Sequence, residues 1–537
     1  MVEVASGEPP FQPGSRTFHI ALHSGARFAH RIHTRTPDAT GGWNGGREPP
    51  HSLATPIDAA TVRAPMEGQL PTASQIASRS FADELRQLLR LGLPIAGVQF
   101  GLHALNLVDL AMLGRHDAGS LPAMALGNTL VWIASMFCLG TLAAVDPLLS
   151  QAIGARDHAA IPRVFGRGLV LAVLLSLPAA ALLLPAATWL RWSGQSEELI
   201  PAAAAYARWQ ALAILPFLWF TLLRSLLSAH ARVGPQVAVI VLGNVANALL
   251  DWLLIFGNLG LPELGADGAA IATVLCRWLM LAGLLVLGWR DLAPHLRALR
   301  SASVRASALA VAPLRALARL GAPIGAQFVL EMGVFAATAL VIGGMDRAAG
   351  ADSADGPRIG GHQVALLLAS LSFMVPLGLG LAASVRVGWA VGRGDLLAAR
   401  RATAAALVAA IVVMTGFMLL FLLAPGALAR CITVDPGQLA FAAALIPIAG
   451  VFQIGDGVQV VSIGCLRGLG DVRSPVWANV LGFWLLGLPL GCLFAFAGNG
   501  GPTGMWWGLV VGLFVVASIL LAVLRLRLRD HRERLAA

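Results

Sequence analysis

Four acidic residues interrupt otherwise apolar runs. They are Asp109 in "LNLVDLAMLGR", Asp251 in "ALLDWLLIFG", Glu331 in "FVLEMGVFAA" and Asp456 in "FQIGDGVQVV". A charge at the centre of a spanning helix costs about 2.5–3.5 kcal/mol on insertion scales, so such residues usually face a bundle interior or a wet cavity and often mark ion paths. A carboxylate there can take up and release a proton, or hold Na⁺ with neighbouring oxygens. It also attracts organic cations, and acids set among Met, Phe and Trp suit flat, lipophilic ones. Asn247 stacks one helical turn before Asp251. Asp109, Asn247 and Asp251 therefore form one candidate cluster, and Glu331 with Asp456 a second. The competing reading for each acid is a hydrogen-bonded structural residue or one reaching the membrane interface. Asp146, Asp157 and Asp395 are read as interface residues at span ends.

The elements that must position these acids follow from composition. The chain has 537 residues, 57% of them hydrophobic and 12% charged, with mean hydropathy +0.74. A soluble domain carries roughly 25% charged residues. This chain cannot make a soluble surface and reads as a polytopic membrane protein. All 38 basic residues are Arg, and the net charge is +10. They sit in short loops, where membrane topology accounts for them better than nucleic acid does.

Twelve apolar segments of bilayer-crossing length centre on 92–113, 124–148, 165–188, 202–227, 236–257, 268–289, 316–344, 361–391, 402–424, 438–465, 475–497 and 504–525. They are numbered below as spans 1 to 12. The runs are continuous rather than alternating, which excludes a barrel. Loops after the even spans are Arg-rich, as in 289–321, and so is the end of the chain at 525–535; the alternate loops are Arg-poor or acidic, as in "GNLGLPELGADG". That asymmetry puts both termini in the cytoplasm. Asp109 lies fifteen residues after Pro94, about 22 Å of helical rise, in the outer part of span 1. Asp251 is similarly placed in span 5, whereas Glu331 and Asp456 lie near the middles of spans 7 and 10.

The chain repeats itself. "LGLPIAGVQF" (91–100) returns as "LGAPIGAQFV" (320–329), an offset of 320 − 91 = 229. "SAHARVGPQV" (228–237) parallels "RGLGDVRSPV" (467–476). Six spans are thus used twice, entering from the same side, as in transporters that hold substrate between two halves. The four acids do not follow the repeat, as expected of tasks assigned to one half each. The expected fold is an all-α polytopic membrane protein with twelve transmembrane helices in two six-helix lobes related by an internal parallel repeat. Its parts are a disordered or non-native tail at 1–80, with Met66 a candidate start, a lobe at 81–290, an Arg-rich linker at 291–315, a second lobe at 316–525 and a basic tail at 526–537.

Other chemistry finds little support. The five cysteines form no CxxC, so neither a metal site nor a disulfide framework is expected. His103 in span 1 has no evident partner, and no HExxH, GxSxG or phosphate-binding loop appears, against an enzyme or an ATP-driven pump. Trp219, Phe328, Phe335, Phe373 and Phe452 are read first as packing. Phe328, Gln327 and Gln453 are also candidate substrate contacts beside Asp109, Glu331 and Asp456. Pro216, Pro376 and Pro447 are candidate bends.

From about 85 to 525 the chain resembles the multidrug and toxic compound extrusion (MATE) transporters, nearest their NorM-like branch. The resemblance is carried by "LPIAGVQFGLHALNLVDLAMLG", "NALLDWLLIFG" followed by "GADGAAIAT", "GHQVALLLASLSFMVPLGLGLAASVRVGWAVGRGD" and "FQIGDGVQVVSIGCLRGLGD". It implies export of cationic or amphiphilic compounds against an inward H⁺ or Na⁺ gradient, with no other cofactor, by two alternating lobes. It implies cation binding by Asp109, Asn247 and Asp251, with Thr273 a fourth member, and coupling by Glu331 and Asp456. Some NorM-like members carry Asn where this chain has Asp251. His362-Gln363 fits the pattern without a role. The departures are the N-terminal tail and 343–361, read as a lengthened outer loop. A monomer in a bacterial inner membrane, binding organic cations and not nucleic acid, is expected. The runner-up is a lipid-linked saccharide flippase of the same superfamily. Its anionic cargo calls for a basic cavity, whereas the mid-span charges here are mainly acidic and Arg208, Arg224, Arg277 and Arg386 are placed near span ends.

Overall fold

The computed structural model describes residues 80–350 and 356–536. The expected tail through residue 79, with its start at Met66, lies outside the described residues. Among these, twelve helices are long and apolar enough to cross a membrane: Phe81–His116, Leu121–Gly154, Ala160–Leu183, Ile200–Ala229, Gly234–Leu254, Gly265–Leu287, Val311–Ala348, Pro357–Gly392, Leu396–Leu423, Pro436–Gly468, Ser474–Ala497 and Gly501–Asp530. They fall in chain order on spans 1 to 12. No strand occurs among the described residues.

Several boundaries differ for local reasons. Span 1 begins at Phe81, because its amphipathic lead-in is one helix with the apolar part. Ser80 starts it with a capping box, its Oγ accepting from the Asp83 N–H while Asp83 Oδ2 accepts from the Ser80 N–H, both at 3.3 Å. Span 2 runs six residues past its expected end, to Gly154, and breaks at Ala143–Ala144. Pro147 has no N–H to give the Ala143 carbonyl, which accounts for the break. Most of the expected outer-loop insert at 343–361 is helix, since span 7 continues to Ala348 and span 8 starts at Pro357. Buried Asp346 ties the two together by accepting from the Ile359 N–H at 2.8 Å. Span 12 runs on as helix through Ala536, so 526–536 extends it rather than forming a separate tail. Arg527 of that extension bonds Asp471 at 2.7 Å.

Spans 1–6 and 7–12 form two lobes. Their closest approaches pair span 1 with span 8, span 2 with span 7, and the end of span 2 with the end of span 8. Glycines make the seam. A Cβ on Gly378 would strike the Ala96 backbone, and one on Gly392 the Gln151 carbonyl. At the same end Trp389 Nε1 donates to the Ala229 carbonyl at 3.0 Å, and Gln151 Nε2 to the Gly468 carbonyl at 2.9 Å. Arg386 donates twice to Glu84, at 2.6 and 2.7 Å. These residues all lie in the span halves nearer the Arg-rich loops, so the lobes are sealed on that face.

Candidate functional site

In the first lobe, Asp109 sits seven residues before the end of span 1, Asp251 three before the end of span 5, and Thr273 eight after the start of span 6. Those ends lie on one side of the bundle, opposite the sealed face, and the fold brings the three together. Asp109 and Asp251 are fully buried and Asn247 almost so. The Thr273 hydroxyl lies 2.8 Å from Asp109 Oδ2 and 2.9 Å from the Ala269 carbonyl, and its single proton serves one at a time. Asp251 and Asn247 face Asp109. Asp109 Oδ1, Asn247 Oδ1 and both Asp251 carboxylate oxygens are buried without a hydrogen-bond partner. Two buried carboxylates facing each other repel unless a cation lies between them. Four orphaned oxygens with few donors fit a proton or a hard alkali ion. No group of three or more His, Cys, Asp or Glu suited to a metal occurs among the described residues.

The second lobe holds a different arrangement. Gln459 Nε2 donates to Glu331 Oε1 at 2.8 Å, and Gln327 and Asn479 also face that carboxylate. Asp456 is 9% exposed, and Glu331 is the charge that acts on it. Trp484 Nε1 bonds the Leu330 carbonyl at 3.0 Å, docking span 11 beside Glu331. Span 11 is π-helical over Val480–Gly487, immediately after Asn479; such bulges frequently accompany functional sites. Gln453 is fully buried; its Nε2 donates to Ser372 Oγ at 2.6 Å and its Oε1 has no hydrogen-bond partner. Phe452 and Phe335 pack with Phe483, Trp506 and His362 in one aromatic cluster, where His362 Nδ1 accepts from Trp506 Nε1 at 3.1 Å. Trp219 bonds the Leu169 carbonyl at 3.3 Å, as a packing residue does.

Two expectations need correction. Arg277 is not near a helix end: it lies twelve residues into span 6, its guanidinium 4.8 Å from the Phe217 ring, where its charge acts on Asp109. Asp146 is not an interface residue, because span 2 continues eight residues beyond it. Its Oδ1 is buried without a hydrogen-bond partner, and Arg224 and Arg467 are the charges facing it. Asp157 and Asp395, by contrast, cap the backbone at helix starts. Arg208 is exposed and donates to the Leu184 carbonyl, while Arg224 bonds Gln99 and Arg386 bonds Glu84. Nothing in the sequence singles out Arg467. It is 9% exposed, donates to Gln327 Oε1 at 3.1 Å, and stacks 5.3 Å from the Phe328 ring centroid. Tyr206, the chain's one tyrosine, is also buried at the first cluster, its hydroxyl 3.3 Å from Gln210 Nε2.

The sequence model of the MatE family matches residues 94–253 and again 323–493. The chain belongs to the MatE family. The second MatE match begins 323 − 94 = 229 residues after the first, the offset of the internal repeat. Among curated relatives, the probable multidrug resistance protein NorM of Bradyrhizobium diazoefficiens is 35% identical over 464 residues, spanning 86% of this chain and 96% of that protein. That of Pseudomonas putida is 36% identical over 444 residues, 81% and 93% of the two chains. Among solved structures, the eukaryotic MATE transporter AtDTX14 shares the fold with TM-score 0.73 at 22% identity, over 85% of this chain and 99% of that one. An outward-facing multidrug resistance MATE family transporter of the MOP superfamily gives 0.71 at 19%, over 83% and 96%. Membership in this family of transporters, with twelve membrane-crossing helices and bacterial relatives, makes the chain a multi-pass bacterial membrane protein and not an enzyme.

Proposed function

We propose that this MATE transporter exports cationic or amphiphilic organic compounds in antiport with H⁺ or Na⁺. The observation that carries the reading is the donor-poor cluster of Asp109, Asn247, Asp251 and Thr273, four of whose buried oxygens lack partners. The coupling ion is cargo: it loads at that cluster and at Glu331 with Asp456, and a positively charged drug competes for the same carboxylates. Asp109, Glu331, Asp456, Phe328, Gln327 and Gln453 are the proposed substrate contacts. The seal on the Arg-rich face supports an outward-open state, with both termini cytoplasmic and the protein in the inner membrane. One chain carries both lobes and both clusters, the ground for proposing that it works as a monomer.

The flippase reading draws on Arg277 and Arg467, which bring positive charge to depth. Each faces a carboxylate, however. Asp109, Asp146, Asp251, Glu331 and Asp456 outnumber Arg224, Arg277 and Arg467, leaving an acidic surplus that disfavours an anionic cargo. Ethidium efflux from proteoliposomes, under a pH gradient and separately a sodium gradient, tests the proposal and identifies the ion. Efflux driven by neither gradient overturns it.

A further inference from the structure

Glu331, on span 7, is held by Gln459, with Gln327 and Asn479 facing it; the charges acting around it are Asp456 and Arg467. Arg467 occupies the last turn of span 10, next to Gly468. Its Nη2 reaches Gln327, one turn before Glu331, yet its Nε is buried with no hydrogen-bond partner. The charges acting on Arg467 are Asp146 and Glu331, one from each lobe. Asp146, on span 2, mirrors that incompleteness: Ser225 faces its carboxylate, but its Oδ1 is buried and unpartnered, although Arg224 and Arg467 are the charges acting on it. Span 2 and the end of span 10 are already joined by the bond from Gln151 to the Gly468 carbonyl at 2.9 Å. A buried donor and a buried acceptor of opposite charge, each unfulfilled and each on a different lobe, are costly unless another arrangement satisfies them.

We propose that Arg467 is a two-position coupling residue, shared between Glu331 of its own lobe and Asp146 of the other. When Glu331 is empty, the guanidinium balances it. When a cation occupies Glu331, the guanidinium is released to Asp146 and holds the lobes together at the Arg-rich face. Loading of the second lobe thereby keeps the Arg-rich face shut while the drug leaves on the opposite side. Phe328 supplies the surface over which the guanidinium moves between its partners. Neither acid is interchangeable in this scheme, because one binds the ion and the other reads whether it is bound.

The inference rests on the antiport proposed above, and its test separates the two. Full-length protein in proteoliposomes is assayed for ethidium efflux across a range of pH, and in detergent for ethidium binding by fluorescence. The variants are Arg467→Gln, Arg467→Lys, Asp146→Asn and the double Asp146→Asn/Arg467→Gln. Removing a fixed positive charge beside a carboxylate tightens its hold on a cation, so in Arg467→Gln the pH midpoint of ethidium binding is expected to move up by about one unit. Arg467→Lys keeps the midpoint near that of the natural protein. Asp146→Asn keeps the midpoint but lowers efflux by about tenfold, and the double variant loses no more than the worse single one. An unchanged midpoint in Arg467→Gln, or losses that multiply in the double variant, overturns the inference. Should Arg467→Gln fail to fold, Asp146→Asn decides: efflux within twofold of the unsubstituted protein sinks it. If the unsubstituted protein moves no ethidium under either gradient, the antiport reading itself has failed.

Discussion

Replacing Arg386 by methionine is expected to unlatch the Arg-rich face. The guanidinium donates two hydrogen bonds to Glu84 across the lobe boundary, and the side chains are only 11% and 8% exposed. Removing one partner of a buried pair costs about 3–5 kcal/mol, because the other charge is left buried and uncompensated. Opening that face hydrates Glu84, so the cost falls on the sealed state alone. Taking the lower figure, at about 1.4 kcal/mol per tenfold, the ratio of sealed to open molecules falls by roughly 150-fold. A population at 99:1 would become close to even. Spin labels at His158→Cys and Leu397→Cys, in a Cys431→Ser background, report the separation of the two lobes at that face by pulsed electron resonance. The variant is expected to show a second, longer distance. The double variant Glu84→Gln/Arg386→Met, which removes both charges, restores the single short distance. A distribution for Arg386→Met identical to that of the parent, or a double variant as open as the single one, would refute the reasoning.

Three further outcomes are expected. Thr273→Val removes a hydroxyl that donates to Asp109 Oδ2 at 2.8 Å; a hydrogen bond to a charged group is worth about 1.5–3 kcal/mol and stabilises the empty carboxylate, so without it the driving ion is held more tightly and half-maximal efflux is reached at an ion concentration lower by about tenfold or more. His295, on the helix Trp289–Ala298 outside the spans, is pushed down to about 3 by burial first and then by the charges of His230 and His158. The unfolded chain therefore binds more protons as pH falls below about 6.5, and stability is lost on acidification from there towards the folded value. At pH 5 that loss is about 2 kcal/mol, so His295→Phe unfolds less readily than its parent in thermal scans at pH 5 and gains nothing of the kind at pH 7.5. Cys431, exposed in the loop between spans 9 and 10, is expected to react with a membrane-impermeant maleimide in intact cells; labelling only after lysis would reverse the topology.

The spans were legible because uninterrupted apolar runs have few other uses, and the first acidic cluster because Asp109, Asn247 and Asp251 stand alone in such runs. Thr273 carried no signal of its own, since a threonine in a helix is unremarkable without its partner across the lobe, and it entered only through resemblance. The basic residues were the blind spot. Arg277 has nine residues of the expected span before it, which is already too deep for an end residue. Arg467 sits where a topological arginine belongs, at the last turn of a span. Helical side chains lean towards the N-terminus, so a long one at that position reaches back into the bundle rather than out to the headgroups. Asp146 reads as an end residue because the expected span stops at 148, whereas the helix breaks at Ala143–Ala144 and then resumes to Gly154.

The glycine seam has a bearing on speed. Where Gly378, Gly392 and their neighbours bring main chain against main chain, the mating surfaces are nearly featureless. Interlocked side chains must find new rotamers whenever a joint parts and re-forms; bare backbone has none to rearrange. A joint of this kind resembles two flat plates fastened by a few pins, of which Arg386–Glu84 and Gln151–Gly468 are two. Its frequency of parting would be governed by those pins and very little by the plates, so turnover should respond steeply to single polar substitutions and weakly to changes in apolar bulk elsewhere along the contact.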